Sequence, residues 1–215
     1  MPESKSVRVG VNGYGVIGKR VAAAVTLQPD MTLAGVSDVA TDWRARMVIR
    51  NGFRLFGATA EHATAMHDAG LTLAGTLDDL LNEVDVVVDC TPKRVAAKNI
   101  EVYRRRGLKF ILQGGEKHDA TGHSFVAESN YASALDREAT RVVSCNTTSI
   151  VRTLTALNGR QGPGDIGTPA LLVGADDARG RQGGGARCLP DVVAHRIDQH
   201  GRRSGCAQHR QGTDG

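Results

Sequence analysis

The segment Val7-Arg8-Val9-Gly10-Val11-Asn12-Gly13-Tyr14-Gly15-Val16-Ile17-Gly18-Lys19-Arg20-Val21 decides the fold. An apolar β-branched run, VRVGV, enters a GxGxxG triplet and leaves it as a helical stretch, KRVAAAV. By itself GxGxxG says little, but between a strand and a helix, in a unit of about 30 residues, it marks a dinucleotide-binding turn. Gly13 permits the tight turn, Gly15 lets backbone N–H groups approach a pyrophosphate, and Gly18 lets the helix pack on the strand. The helix N-terminus then favours the ligand's negative charge.

Outward from this turn, the chain reads as alternating strands and helices. Strands are expected at Val7 to Val11, Met31 to Val36, Val84 to Cys90, Lys109 to Gln113 and Arg141 to Cys145. Helical periodicity covers Val16 to Leu27, Thr41 to Asn51, Leu77 to Asn82, Lys93 to Arg106 and Thr147 to Leu157. That alternation predicts a Rossmann-like α/β fold with a doubly wound, mostly parallel sheet. Asp38 ends the second strand about 20 residues beyond Gly18, where an acid hydrogen-bonds the adenosine ribose and repels an extra phosphate. The expected cofactor is therefore NAD or NADP, with NAD favoured. Asp42 competes with Asp38 for the role of helix cap. Thr91 and Pro92, following the strand that ends at Cys90, are expected to line the cofactor crevice.

Composition changes near Gly159. All eight aromatic residues lie at or before Tyr131 and every lysine at or before Lys117, whereas about half of the 26 glycines follow. A dinucleotide-binding domain over residues 1–158 is expected to give way to a poorly ordered Arg/Gly-rich tail over 159–215. In that tail only Pro169 to Val173 and Leu189 to Ile197 suggest elements, and its composition suits a shifted reading frame. The 215 residues, 40% hydrophobic with net charge +4, suit an ordinary globular protein and place no demand for nucleic acid. No apolar stretch spans a bilayer and the start, MPESKSVRV, lacks a signal segment, so a cytoplasmic location is expected. The four cysteines form no CxxC pair, and His62 and His67, five apart, miss the spacing for a shared metal, so no metal is expected.

The second informative run is Arg141-Val142-Val143-Ser144-Cys145-Asn146-Thr147-Thr148. Its strand delivers Cys145 to the C-terminal sheet edge just before a helix whose free N–H groups stabilise a thiolate. Such a thiolate attacks an aldehyde, and the same dipoles, with Asn146, stabilise the oxyanion. An unreactive cysteine at a strand end fits the local pattern equally well.

NGYGVIGKRV, ILQGGEK (Ile111 to Lys117) and VVSCNTT (Val142 to Thr148) together resemble type II, archaeal-type phosphorylating glyceraldehyde-3-phosphate dehydrogenase. The likeness covers Ser6 to Asn158. It implies that Cys145 is the nucleophile, that Ser144, Cys145 and Asn146 contact the substrate, and that Val16, Ile17 and Gly115 contact the nicotinamide cofactor. It further implies glyceraldehyde 3-phosphate and inorganic phosphate as substrates, a Cys145 thioester, a homotetramer and an enzyme of glycolysis, while an Arg/Gly tail without aromatics to stack bases argues against nucleic acid as a partner. This chain departs from the family in two ways. Asp38 stands where members often carry lysine, and no His-His pair follows Asn158, so His195 and His200 cannot be matched to the family's substrate domain. The alternatives are a catalytically silent NAD-binding fragment and another thiol-dependent semialdehyde dehydrogenase.

Overall fold

The computed structural model describes residues 6–161. Its elements are β1 (Val7–Asn12), α1 (Val16–Thr26), β2 (Met31–Asp38), α2 (Trp43–Arg50), β3 (Leu55–Gly57), α3 (Ala60–Asp68), β4 (Gly75–Thr76), α4 (Leu77–Leu81) and β5 (Val86–Asp89). There follow α5 (Lys93–Arg105), β6 (Lys109–Leu112), a single 3-10 turn (His118–Ala120), β7 (Ser124–Phe125), α6 (Ala127–Ala134), β8 (Ala139–Val142) and α7 (Cys145–Gln161). The strands form one parallel eight-stranded sheet in the order β4-β3-β2-β1-β5-β6-β8-β7.

Two faces of β1 explain why the sheet is covered on both sides. Val9 and Val11 pack with Ala22 and Val25 of α1 and with Val36, Val48 and Val88. In between, Gly10 faces Val84 and Leu80, and Asn12 reaches Tyr103 of α5. The second face is filled by Phe56, Leu80, Val87, Ile100, Tyr103, Phe110 and Leu112. Parallel strands buried on both faces need apolar residues at successive positions, which is why β5 reads as a run of valine.

Within the described residues every expected strand and helix is present, with ends displaced by a few residues. The sequence reading missed β3, β4, β7, α3 and α6. The three strands hold two or three residues each, too few to show a period, and α3 buries Met66 alone, so its apolar stripe is faint. Helix α7 runs to Gln161, and the remainder of the expected tail, with Pro169 to Val173 and Leu189 to Ile197, lies outside the described residues. Among the described residues no helix is long and apolar enough to cross a membrane.

Candidate functional site

Because all strands run the same way, every loop that leaves a strand end emerges on one edge. In register, Asn12 of β1 lies level with Ser37 of β2 and Asp89 of β5, while Leu112 of β6 lies level with Asp89 and Arg141. Strand order reverses between β1 and β5, so the glycine turn sits at the topological switch point, where ligands bind in open α/β sheets.

The turn has a geometry that accommodates a pyrophosphate. Gly13 adopts φ +93°, and a Cβ there would meet the Cys90 carbonyl and the Thr91 nitrogen at 3.1–3.2 Å. A Cβ on Gly18 would lie 1.9 Å from the Gly13 carbonyl oxygen, so α1 and the turn approach as only glycine allows. At Gly15 a Cβ would meet nothing within 4 Å, which leaves the backbone open on the ligand side. Gly15 is also the cap of α1 and supplies no side-chain partner to the helix's first N–H groups. Val16 and Ile17, next along, are exposed.

Asp38 and Asp42 divide the two roles that the sequence left open. Asp42 caps α2 by accepting from the Arg44 N–H at 2.9 Å. Asp38 stays at the strand end and clamps the turn: one carboxylate oxygen accepts from the Tyr14 N–H, the other from the N–H groups of Val39 (2.7 Å) and Ala40 (2.8 Å). A carboxylate has about four acceptor sites, so these three N–H groups leave room for about one further donor.

Behind the turn lies a polar network with no counterpart in the sequence reading. Asp89 is fully buried; one oxygen accepts from the Thr91 N–H (2.9 Å) and hydroxyl (2.6 Å), the other from Asn99 (2.8 Å) and the Tyr103 hydroxyl (2.8 Å). Asn12 donates to the same hydroxyl at 2.9 Å. Burial, reinforced by the Asp89 charge, pushes the Tyr103 phenol well above its ordinary pKa and keeps it a neutral donor. The Thr91 side chain is thus turned back toward Asp89, while Pro92 is exposed and caps α5. Burial first, then Asp89 and Glu116, pushes the Cys90 thiol up to about 12, so Cys90 is a packing residue.

On the other side, α1 and α7 flank a cleft of about 800 Å³. Ile17, Arg20, Val21 and Ala24 face Thr148, Ser149, Arg152 and Thr153, and Gln113, Gly115 and Val142 to Cys145 complete the lining. The structure thereby brings together Ile17, Gly115 and the adjacent Ser144 and Cys145 from three separated stretches of chain. Cys145 is exposed at the first turn of α7. Ser144 caps that helix, its hydroxyl accepting from the Thr147 N–H at 3.2 Å and meeting the Thr147 hydroxyl at 2.9 Å. Asn146 is exposed beside it but does not line the cleft.

Gly115 is held in place by Arg141, a buried cation in β8. Its guanidinium donates to the Glu116 carbonyl (2.9 Å) and the Ser124 hydroxyl (2.8 Å), while the Glu116 side chain accepts from the Gly114 N–H (3.0 Å). The sequence offered one signal for it, an arginine at the head of the apolar strand RVV. Arg20 and Arg152 carried no such signal, and Arg152 is paired with Glu128 of α6 at 2.7 Å. Among the described residues no group of three or more histidines, cysteines and acids is placed to hold a metal.

A parallel sheet with a glycine turn at its switch point and a strand-end acid defines a Rossmann-type NAD(P)-binding domain. Over residues 7–146 the chain matches the family described as dihydrodipicolinate reductase, N-terminus, and belongs to it. The domain is closely related to archaeal glyceraldehyde-3-phosphate dehydrogenase sequences. It is 45% identical over 171 residues to that enzyme of Methanothermus fervidus, covering 80% of this chain and 51% of the relative. To the Thermococcus kodakarensis enzyme it is 50% identical over 151 residues, covering 70% and 45%. The chain thus spans about half the length of the curated relatives it matches. Among solved structures it is similar to aspartate semialdehyde dehydrogenase with NADP from Candida albicans, at 16% identity and TM-score 0.49, over 74% of this chain and 48% of that one.

Proposed function

We propose that the described residues form the cofactor-binding half of an archaeal-type phosphorylating glyceraldehyde-3-phosphate dehydrogenase, and that this half binds dinucleotide without turning over. One observation carries the reading. Among the described residues, the cleft that joins Ile17 and Gly115 to Cys145 is lined by two arginines and by no carboxylate or imidazole able to move a proton. Phosphorylating oxidation, in this reading, requires groups beyond this lining.

In that reaction the Cys145 thiolate adds to the aldehyde carbon, and the first turn of α7 stabilises the oxyanion of the thiohemiacetal. Bound NAD(P) supplies the hydride acceptor that leaves a thioester on Cys145. Inorganic phosphate then attacks the thioester carbonyl, releasing the acyl phosphate and restoring the thiolate. Val16, Ile17 and Gly115 hold the nicotinamide end, Gly13, Gly15 and Gly18 the pyrophosphate, and Thr91 and Pro92 border the crevice. Ser144 holds the aldehyde within the cleft, and Asn146, exposed beside Cys145, reaches it from outside the cleft lining. Asp38 favours NAD over NADP through its charge at the ribose.

A single-turnover experiment on the whole chain tests this, with glyceraldehyde 3-phosphate and each cofactor, counting reduced cofactor per Cys145. Binding of NAD without a burst is the expected result. A burst of about one equivalent would refute catalytic silence, since burst accumulation reports an acyl-enzyme. Failure to bind either cofactor would refute the whole reading.

A further inference from the structure

Four charges meet where β2 ends. Asp38 closes the strand, Asp42 and Arg44 open α2, and Lys19 reaches across from α1, its ammonium 4.2 Å from the centre of the exposed Trp43 ring. Arg44 senses the Asp38 charge, and Asp42 senses Lys19. In domains of this class the adenosine 2′ position falls at the end of β2, and a nearby arginine is what accommodates a 2′-phosphate. Arg44 stands at that place, six residues beyond Asp38.

Its guanidinium is already engaged. Nε lies 3.1 Å from both oxygens of Asp42, and a terminal nitrogen lies 2.9 Å from one of them. An arginine gripped in this two-pronged way presents a filled fork to any second anion. The same carboxylate caps α2 through the Arg44 N–H, so the grip is built into the start of the helix.

Resting on the dinucleotide reading above, we propose that Asp42 is a specificity-determining residue: by latching Arg44 it withholds that guanidinium from a 2′-phosphate and biases the domain toward NAD. Asp38 contributes charge at the same place, but the latch is a separate device with its own test. Asn serves as a helix cap as well as Asp does, so Asp42→Asn keeps α2 capped while releasing the guanidinium.

Trp43 is the chain's single tryptophan and adjoins the latch. Its emission, titrated with NADH and with NADPH on the full chain, yields both dissociation constants without any turnover. Asp42→Asn is expected to move the NADPH-to-NADH affinity ratio toward NADPH by about fivefold, the scale of one exposed charged pair. Adding Arg44→Ala to Asp42→Asn is expected to cancel that gain. If Asp42→Asn leaves the ratio where it was, the latch is overturned while the dinucleotide reading stands. If the gain survives Arg44→Ala, Asp42 acts through its own charge and the latch is equally overturned. If the unaltered chain binds neither cofactor, the dinucleotide reading fails and takes the latch with it.

Discussion

Replacing Gly18 by alanine gives the most direct test of how the glycine turn is built. The added methyl would lie 1.9 Å from the Gly13 carbonyl oxygen, and contacts below 3.0 Å are essentially never seen for real Cβ atoms. The obstacle is backbone, so no rotamer relieves it, and α1 and the turn must part by at least about 1.1 Å. Overpacking of this kind costs roughly 1–3 kcal/mol, and more where backbone must move. Taking about 3 kcal/mol, a domain of this size loses roughly 6–12 °C in Tm. The α1 N-terminus withdraws from the pyrophosphate by the same displacement, so NADH affinity is expected to fall by at least about tenfold. Gly15→Ala is the matched control: with nothing within 4 Å and φ −72°, it is expected to hold Tm within about 2 °C while still weakening NADH. Thermal melts and Trp43 titrations of both variants decide the matter. If Gly18→Ala melts and binds like the parent, or if Gly15→Ala melts as low as Gly18→Ala, the packing argument is wrong.

Tyr103→Phe removes a buried hydroxyl shared by Asn12 and Asp89, and urea denaturation is expected to show a loss of about 1–3 kcal/mol; an unchanged midpoint would show that the network is dispensable. Iodoacetamide near neutral pH is expected to label exposed Cys145 long before Cys90, whose thiol is pushed up to about 12, and peptide mass mapping reads the order directly. His123 has Thr140 at 2.7 Å and Ser133 at 2.9 Å on its two ring nitrogens, and burial, with Arg137 and His118, holds its pKa below the ordinary value. The folded state therefore binds that proton less readily than the unfolded chain, and stability should decline as pH falls through about 6.5. A urea midpoint that drops equally in His123→Gln between pH 7.5 and 5.5 would contradict this.

Legibility in the sequence tracked the range of the interactions involved. The glycine turn is local: three glycines, a preceding strand and a following helix are contiguous, so their spacing carries the conformational demand directly. Cys145 at a helix start was legible in the same way, since Ser144 caps the helix by accepting from the Thr147 N–H three residues on. By contrast, Asp89 carries no signal beyond its place near the end of the strand expected at Val84 to Cys90. Its partners Asn99 and Tyr103 lie 10 and 14 residues away, Asn12 reaches the same Tyr103 hydroxyl across 91 residues, and nothing in their neighbourhoods announces a shared hydrogen bond. The roles of Asp38 and Asp42 were undecided for a related reason: both are acids before a helix, and only the position of the Tyr14 N–H separates clamp from cap.

The amino-acid order by itself determined the longer strands and helices, the parallel sheet and the turn at its centre, because backbone preference and apolar periodicity act over a few residues. The tertiary structure alone decided that Ile17, Gly115 and Cys145 share a cleft with Arg20 and Arg152, that Arg141 pins the Gly115 loop, and that Asp42 occupies Arg44. Those facts depend on where parallel strands bring distant loops together, a consequence of packing that no local pattern encodes.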